Sequence, residues 1–208
     1  MKIEELKNIT SDFVEISQLL EKRNKLFSET NKVRRKLKSK INKYKFLVDL
    51  VDTDSNGGRL VNAVVQLFKS IGFSNIENVD KKYNDEDIRL WLDDLLIIFE
   101  ITGIDTANPK DDKAYRISKH IPIRQKQNPN LKVFGVFIVN HDNKKHFKKR
   151  EKKPFRKNLI EIAKEHKYTL TTTVDIFNAF IKIKKDSLTK DDFIKCLCMT
   201  GELKILGA

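Results

Sequence analysis

Cysteine is nearly absent from this 208-residue chain: there are two, Cys196 and Cys198, against 7 Gly, 4 Pro, 4 His and a single Trp. Two thiols two residues apart are poorly placed to bridge, and no other cysteine is present to bridge to. This excludes a disulfide scaffold and points to a reducing, intracellular compartment, cytoplasmic in a prokaryotic or viral setting. The His and Cys residues show no metal-ligand spacing, which excludes a structural zinc site. Long apolar runs are also missing. The longest, Leu95 to Phe99, is far too short to span a bilayer, and Met1-Lys2-Ile3-Glu4-Glu5 lacks the apolar run of a leader, so no membrane partner is expected. Acid is the scarce charge: 29 Asp+Glu stand against 42 Lys+Arg, a formal net charge of +13. An excess of that size favours polyanions, most often nucleic acid or an anionic membrane surface.

The charge is clustered. Residues 1–50 read as a helical extension, with Leu6, Phe13, Leu20 and Phe27 recurring every seven residues and Ile9 and Ile16 between them, a heptad-like stripe that fades at Arg23 and Thr30. Such a stripe suits a homodimer or a partner protein. The segment ends in Lys32, Arg34, Arg35, Lys36, Lys38, Lys40, Lys43 and Lys45 with no acid among them. Arg34 and Arg35 are candidate phosphate contacts there, alongside the alternative of a solvated helix face. A second cluster, residues 144–157, holds nine basic residues, one acid and two aromatics. Lys144, Lys145, Lys148, Lys149, Arg150, Lys152 and Lys153 are its candidate nucleic-acid contacts, and Phe147 and Phe155 its rings. The neighbouring His141 and His146 read as surface or phosphate-contacting residues.

Residues 51–208 alternate between the two periods. The loop Asp52 to Gly58 precedes a helix to Ser70, which Gly72 stops. Asn75 to Val79 suits a strand, Lys110 to Gln127 a helix that Pro122 kinks or shortens, and Val133 to Val139 a buried strand. Phe155 to His166 is an amphipathic helix, Leu170 to Thr173 a strand, and Asp175 to Lys184 and Thr189 to Met199 are closing helices. This order predicts an α/β domain with a central mixed sheet and helices on both faces. On the last helix Cys196 and Cys198 point to different faces, so one of them packs in the core.

The most informative stretch is Asp87 to Gly103 (DIRLWLDDLLIIFEITG). With Asp93-Asp94 as a two-residue turn, Leu92 pairs with Leu95 and Asp87 falls opposite Glu100. Ile88, Leu90, Leu92, Leu95, Ile97, Phe99 and Ile101 then share one face, and Asp87, Arg89, Trp91, Leu96, Ile98, Glu100 and Thr102 the other. A slip of one residue would destroy this sorting, so the register is well specified. Two carboxylates side by side repel and need compensation. A divalent cation supplies it, since Mg²⁺ is bound by one or two carboxylates with waters. The alternative is a frayed strand end at which Asp87 pairs with Arg89 or a lysine.

The order Asp87, hairpin, Glu100-Ile101-Thr102-Gly103 resembles the metal-binding hairpin of the PD-(D/E)XK, restriction-endonuclease-like family, in which an Asp is followed by acid-x-Lys. The helix ending at Ile71-Gly72-Phe73, the strand Phe137-Ile138-Val139-Asn140-His141, the stretch Arg150 to Phe155, and Thr171 to Phe177 resemble further parts of one branch of it, so the likeness covers about residues 45–205. The resemblance implies a restriction-endonuclease-like core, with Asp87, Glu100 and Thr102 at the catalytic positions and Asp87 and Glu100 holding Mg²⁺ or Mn²⁺. It also implies a nuclease in a defence or mobile-element context. Two positions depart from the pattern. Thr102 stands where the family has Lys, leaving Arg89, Lys113 or Lys119 to supply the positive charge, and Val61 or Asn62 stands where that branch carries a helical Glu. The rival readings are a catalytically degenerate relative that binds nucleic acid, and an assembly subunit docking through the N-terminal helix.

Overall fold

The computed structural model describes residues 3–52, 57–79 and 86–203, with side chains from residue 13 onward. Residues 53–56, within the expected Asp52 to Gly58 loop, lie outside them, as do the side chains of Leu6 and Ile9. The chain divides into two compact units, Met1–Lys45 and Phe46–Ala208.

The first unit is one long helix, α1 (Ile3–Lys43). Neither Gly nor Pro interrupts it. Among its described side chains none is buried.

The second unit begins with α2 (Lys45–Val51) and α3 (Gly57–Ser70), then β1 (Ile76–Asn78), β2 (Ile88–Trp91) and β3 (Leu95–Gly103). α4 (Asp111–Gln127), β4 (Lys132–Asn140), a short 3₁₀ turn (Phe147–Lys149) and α5 (Lys157–Glu165) follow, and then β5 (Tyr168–Thr172), α6 (Thr173–Lys184), α7 (Lys190–Leu197) and β6 (Gly201–Glu202). The sheet order is β1-β2-β3-β4-β5-β6. The β1–β2 and β2–β3 pairs are antiparallel, and the pairs from β3–β4 to β5–β6 are parallel. This is the mixed α/β sheet expected from the sequence.

The hairpin adopts the register its alternation dictates. Ile88 pairs with Phe99 and Leu90 with Ile97, and Leu92 N–H donates to the Leu95 carbonyl at 2.8 Å across the Asp93-Asp94 turn. One face of the sheet carries Ile88, Leu90, Ile97, Phe99 and Ile101 into a core closed by α3, α6 and α7. The other carries Leu96 and Ile98 into a second core beneath α4 and α5, against Ala114, Ile117, Leu159 and Ala163. β3 is therefore covered on both sides, which is why its run is continuously apolar. Burying each such side chain contributes about 1.5–3 kcal/mol.

α4 lies unusually close to the sheet. A Cβ at Gly135 of β4 would come within 2.8 Å of side-chain atoms of Ile117 and Ile121. Gly135 thus permits the approach that brings α4 down over β3. Pro122 does not shorten the helix: α4 runs through it to Gln127, the end expected from the sequence. A proline in that interior removes its own N–H bond and crowds the Ser118 carbonyl, and the burial of Ala114 and Ile117 against the sheet offsets that cost. The two-residue β6, too short to leave a periodic signal, extends the sheet beyond the strands anticipated from the sequence.

Candidate active site

Asp87 immediately precedes β2 and is firmly held. Its N–H donates to the Phe99 carbonyl at 2.9 Å, its carbonyl accepts from Val79 N–H at 2.9 Å, and its Oδ2 accepts from Ile101 N–H at 2.5 Å. The strand end is therefore not frayed. β2 pairs with β3 only as far as Phe99, so Ile101 N–H lacks a strand partner on that side, and the Asp87 carboxylate supplies one.

Glu100 lies within the buried run of β3 and is only 4 % exposed. Its Oε1 receives Arg116 Nη1 of α4 at 2.9 Å. A carboxylate this deep requires such a partner. Asp87, Glu100 and Thr102 line one open pocket of about 300 Å³ together with Lys113, Arg116 and Val61. The pocket joins three elements: α3 contributes Val61, the hairpin the carboxylates and Thr102, and α4 the two cations.

Of the three candidate substitutes for the missing Lys, one lines this pocket: Lys113. Lys119 is exposed on α4 and is not among the lining residues. Arg89 is engaged elsewhere, its Nε 2.5 Å from Glu86 Oε1 and its Nη1 3.9 Å from Glu77. The sequence reading missed Arg116, although a residue three positions after Lys113 on a helix shares its face. At the helical position left open between two residues, Val61 faces the pocket, whereas Asn62 is exposed and its Oδ1 accepts from Asn78 Nδ2 at 3.1 Å.

Glu86, fully buried next to Asp87, was also missed. Arg124 of α4 grips it with two parallel bonds, Nε to Oε1 at 2.8 Å and Nη2 to Oε2 at 2.8 Å. Arg89 and His120 stand on the same carboxylate. Burial alone would push the Glu86 carboxyl up, but hydrogen bonds from Arg124 and Arg89 outweigh it and hold the group below its ordinary value of 4.5.

The basic segment divides into two kinds of residue. Lys144, Lys145, Lys148, Lys149, Lys152 and Lys153 are exposed, with Lys145 paired to Asp142 at 3.0 Å. Arg150 is buried. It donates to Asn140 Oδ1, to the Val51 carbonyl at 2.9 Å and to the Lys145 carbonyl at 3.1 Å, tying the loop to the end of α2. Burial pushes its guanidinium pKa down. Arg150→Ala removes these charge-assisted bonds; Asn140 Oδ1 keeps the Thr173 hydroxyl at 3.1 Å, and each carbonyl left without a partner is expected to cost about 1–3 kcal/mol. Urea unfolding checks this, and Arg150→Lys, which lacks the planar fork, should recover only part of the loss.

His141 is not at the surface as anticipated. It is 2 % exposed, its Nε2 lies 2.8 Å from the Glu151 carbonyl, and burial pushes its pKa down. His146 is exposed and caps the 3₁₀ turn. Cys196 is buried, as one of the pair was expected to be; Cys198, just past the end of α7, is half-buried and packs against the core on the α7 side. Trp91 packs on the α4 side of the sheet and donates from Nε1 to Glu77 at 3.1 Å. Arg34 and Arg35 belong to α1 and are exposed. Among the described residues, no group of three or more His, Cys, Asp and Glu side chains converges, and no helix is long and apolar enough to cross a membrane.

No family model matches the chain, and no curated protein matches it by sequence. Among solved structures it is similar to the restriction endonuclease FokI, with a TM-score of 0.55, 12 % identity, and coverage of 76 % of this chain and 30 % of that one. The chain thus spans less than a third of FokI. It also resembles the small subunit of the heterodimeric restriction endonuclease R.BspD6I, with a TM-score of 0.47, 13 % identity, and coverage of 75 % of this chain and 86 % of that one. At such identities the likeness to FokI speaks for the architecture alone. With the mixed six-stranded sheet flanked by helices, it shows that this chain has a restriction-endonuclease-like α/β fold.

Proposed function

We propose that the chain is a metal-dependent nuclease that hydrolyses phosphodiester bonds of DNA, in a defence or mobile-element setting. The observation that carries this reading is the convergence of Asp87 and Glu100 with Lys113 and Arg116 in one open pocket. The donor set suits a hard divalent cation: two carboxylates from adjacent strands, with room for waters and a phosphate oxygen, are what Mg²⁺ or Mn²⁺ accepts. Asp87 and Glu100 would hold it, and the ion would polarise the phosphodiester and acidify an attacking water.

The remaining groups act on the substrate. Lys113 and Arg116 stand where the charge of a phosphate must be neutralised, taking over from the lysine that Thr102 replaces. The Thr102 hydroxyl can orient a water by hydrogen bonding but supplies no charge. A second pocket of about 400 Å³ shares Gly103 and Lys113 with the first and adds Lys110 and Lys144, a route for the neighbouring phosphates of a strand.

The test is cleavage of double-stranded DNA, single-stranded DNA and RNA with Mg²⁺, Mn²⁺ or chelator, comparing the natural protein with Glu100→Ala. Metal-dependent cutting that the variant lacks supports the reading, and cutting that survives in chelator or in the variant overturns it.

A second reading rests on the Arg116–Glu100 pair. A guanidinium 2.9 Å from this carboxylate competes with a cation for it, as expected of a degenerate relative that binds nucleic acid without cutting. On either reading the exposed lysines hold the polyanion. Replacing Lys148, Lys149, Lys152 and Lys153 together by Gln is expected to weaken binding for every sequence. The slope of log K against log salt should flatten by about 0.9 for each phosphate of duplex DNA that is no longer neutralised. Fluorescence anisotropy across a salt series measures both.

A further inference from the structure

Among the described residues of α1, the apolar stripe is exposed. Phe13, Ile16, Leu20, Phe27, Val33 and Ile41 are each between 45 and 70 % exposed. A helix of this length with no packed face gains little from propensity alone, because helices in proteins owe most of their stability to burying an apolar side.

We propose that the occupant of this stripe is α1 of a second copy of the chain, lying antiparallel, with the two-fold axis near Phe27. Two features of the sequence carry the choice. The first is the placement of the apolar residues. They are nearly mirror-symmetric about residue 27, so reversing one helix brings Phe13 level with Ile41, Ile16 with Leu37, and Leu20 with Val33, while Leu26 and Phe27 meet their own counterparts. Of the residues that interrupt the heptads, Arg23 then falls opposite Thr30 and Asn31, polar against polar, while Arg34 comes level with Leu20 and can lay its aliphatic stem along the seam with its charge outside.

The second feature is charge. Residues 3–22 hold five acids against two bases, and residues 23–43 hold nine bases against one acid. In a parallel pair the basic halves would lie side by side, with Arg23 and Arg34 each facing itself, and like charges at facing positions repel. In the antiparallel pair the acidic half of each helix lies along the basic half of the other. Glu15 comes level with Lys38 and Lys40, Glu21 with Lys32 and Arg34, and Glu29 with Lys25. The overlap from Phe13 to Ile41 is about 43 Å long at 1.5 Å per residue. Repulsion in the parallel arrangement and matched charge in the antiparallel one thus select the same orientation.

The experiment uses the full chain. Sedimentation equilibrium at micromolar concentration, without nucleic acid, is expected to give twice the chain mass of 24.3 kDa. Leu20→Glu with Leu37→Glu should return it to one chain mass, with circular dichroism confirming that the α/β unit remains folded. Orientation is read by disulfide trapping. A mixture of Phe13→Cys and Ile41→Cys chains should form a crosslinked heterodimer, while either variant alone should not crosslink through its new cysteine. A chain that is monomeric without nucleic acid, a dimer indifferent to the two glutamates, or a 13–13 or 41–41 crosslink would each overturn the proposal. A monomer whose nucleic-acid affinity falls in the glutamate variant would assign the stripe to nucleic acid instead.

Discussion

Glu100→Gln is expected to remove metal-dependent cleavage, with a loss on the order of 10²–10⁴-fold, the range found when a catalytic or charge-stabilising group is deleted. The substitution keeps the size of a side chain that is only 4 % exposed and changes only its charge, so the fold should persist. Binding of nucleic acid should be unchanged or tighter, because a negative charge is lost beside Lys113 and Arg116. Asp87 needs more care. Its Oδ2 is the acceptor for Ile101 N–H, so Asp87→Ala would leave a buried donor without a partner at a cost of about 1–3 kcal/mol. Asp87→Asn retains an acceptor and should lose activity without that cost. Cleavage and thermal melting measured on all three variants separate the roles. Activity lost in Asn and Gln at unchanged melting temperature means chemistry. Activity that follows melting temperature means that the carboxylates only hold the strand end.

The parts legible in the sequence are those whose information is local and periodic. The hairpin could be read because seven apolar residues alternate without a fault, so only one register keeps them on one face. That register alone placed Asp87 opposite Glu100. The helix from Gly57 to Ser70 followed from its apolar spacing, and helical phase also decides between Val61 and Asn62, since Val61 continues the face of Leu60, Val64 and Phe68. What composition hid is which members of a charged run are buried. Arg150 sits among eight other basic residues in residues 144–157 and differs from them only in having Val51, Asn140 and Lys145 acceptors within reach. Similarly, His141 in a polar stretch gave no sign of burial. The Glu86–Arg124 pair spans 38 positions and two elements, and no local pattern links such residues. Arg116 was recoverable by counting three residues on from Lys113, but its pairing with Glu100 depends on how closely α4 descends over Gly135, a tertiary distance.

Glu86→Ala is expected to destabilise the fold more than any substitution at Asp87 or Glu100. It would leave the charge of the Arg124 guanidinium, itself 7 % exposed, without its carboxylate beside the start of β2, with the neutral Gln127 still bonded, and breaking a buried pair in this way costs about 3–5 kcal/mol. Against a typical total of about 5–15 kcal/mol that is a large share. The effect reaches the site, because Glu86 ties the second half of α4 to the residue adjoining Asp87, and α4 carries Lys113 and Arg116. The pH dependence has a definite sign. The folded carboxyl is held below 4.5, so its contribution is fully present above that value and is lost as the pH falls through the folded pKa. Urea midpoints at neutral pH and near pH 3 should therefore show the natural protein losing stability that Glu86→Gln lacks from the outset, and the gap between the two should narrow in acid. Replacing Glu86 and Arg124 together by Leu and Met should recover part of the loss of the single variant, because no charge is then left buried alone. If the double replacement is as unstable as Glu86→Ala, the cost lies in packing around the start of β2 and not in the stranded charge.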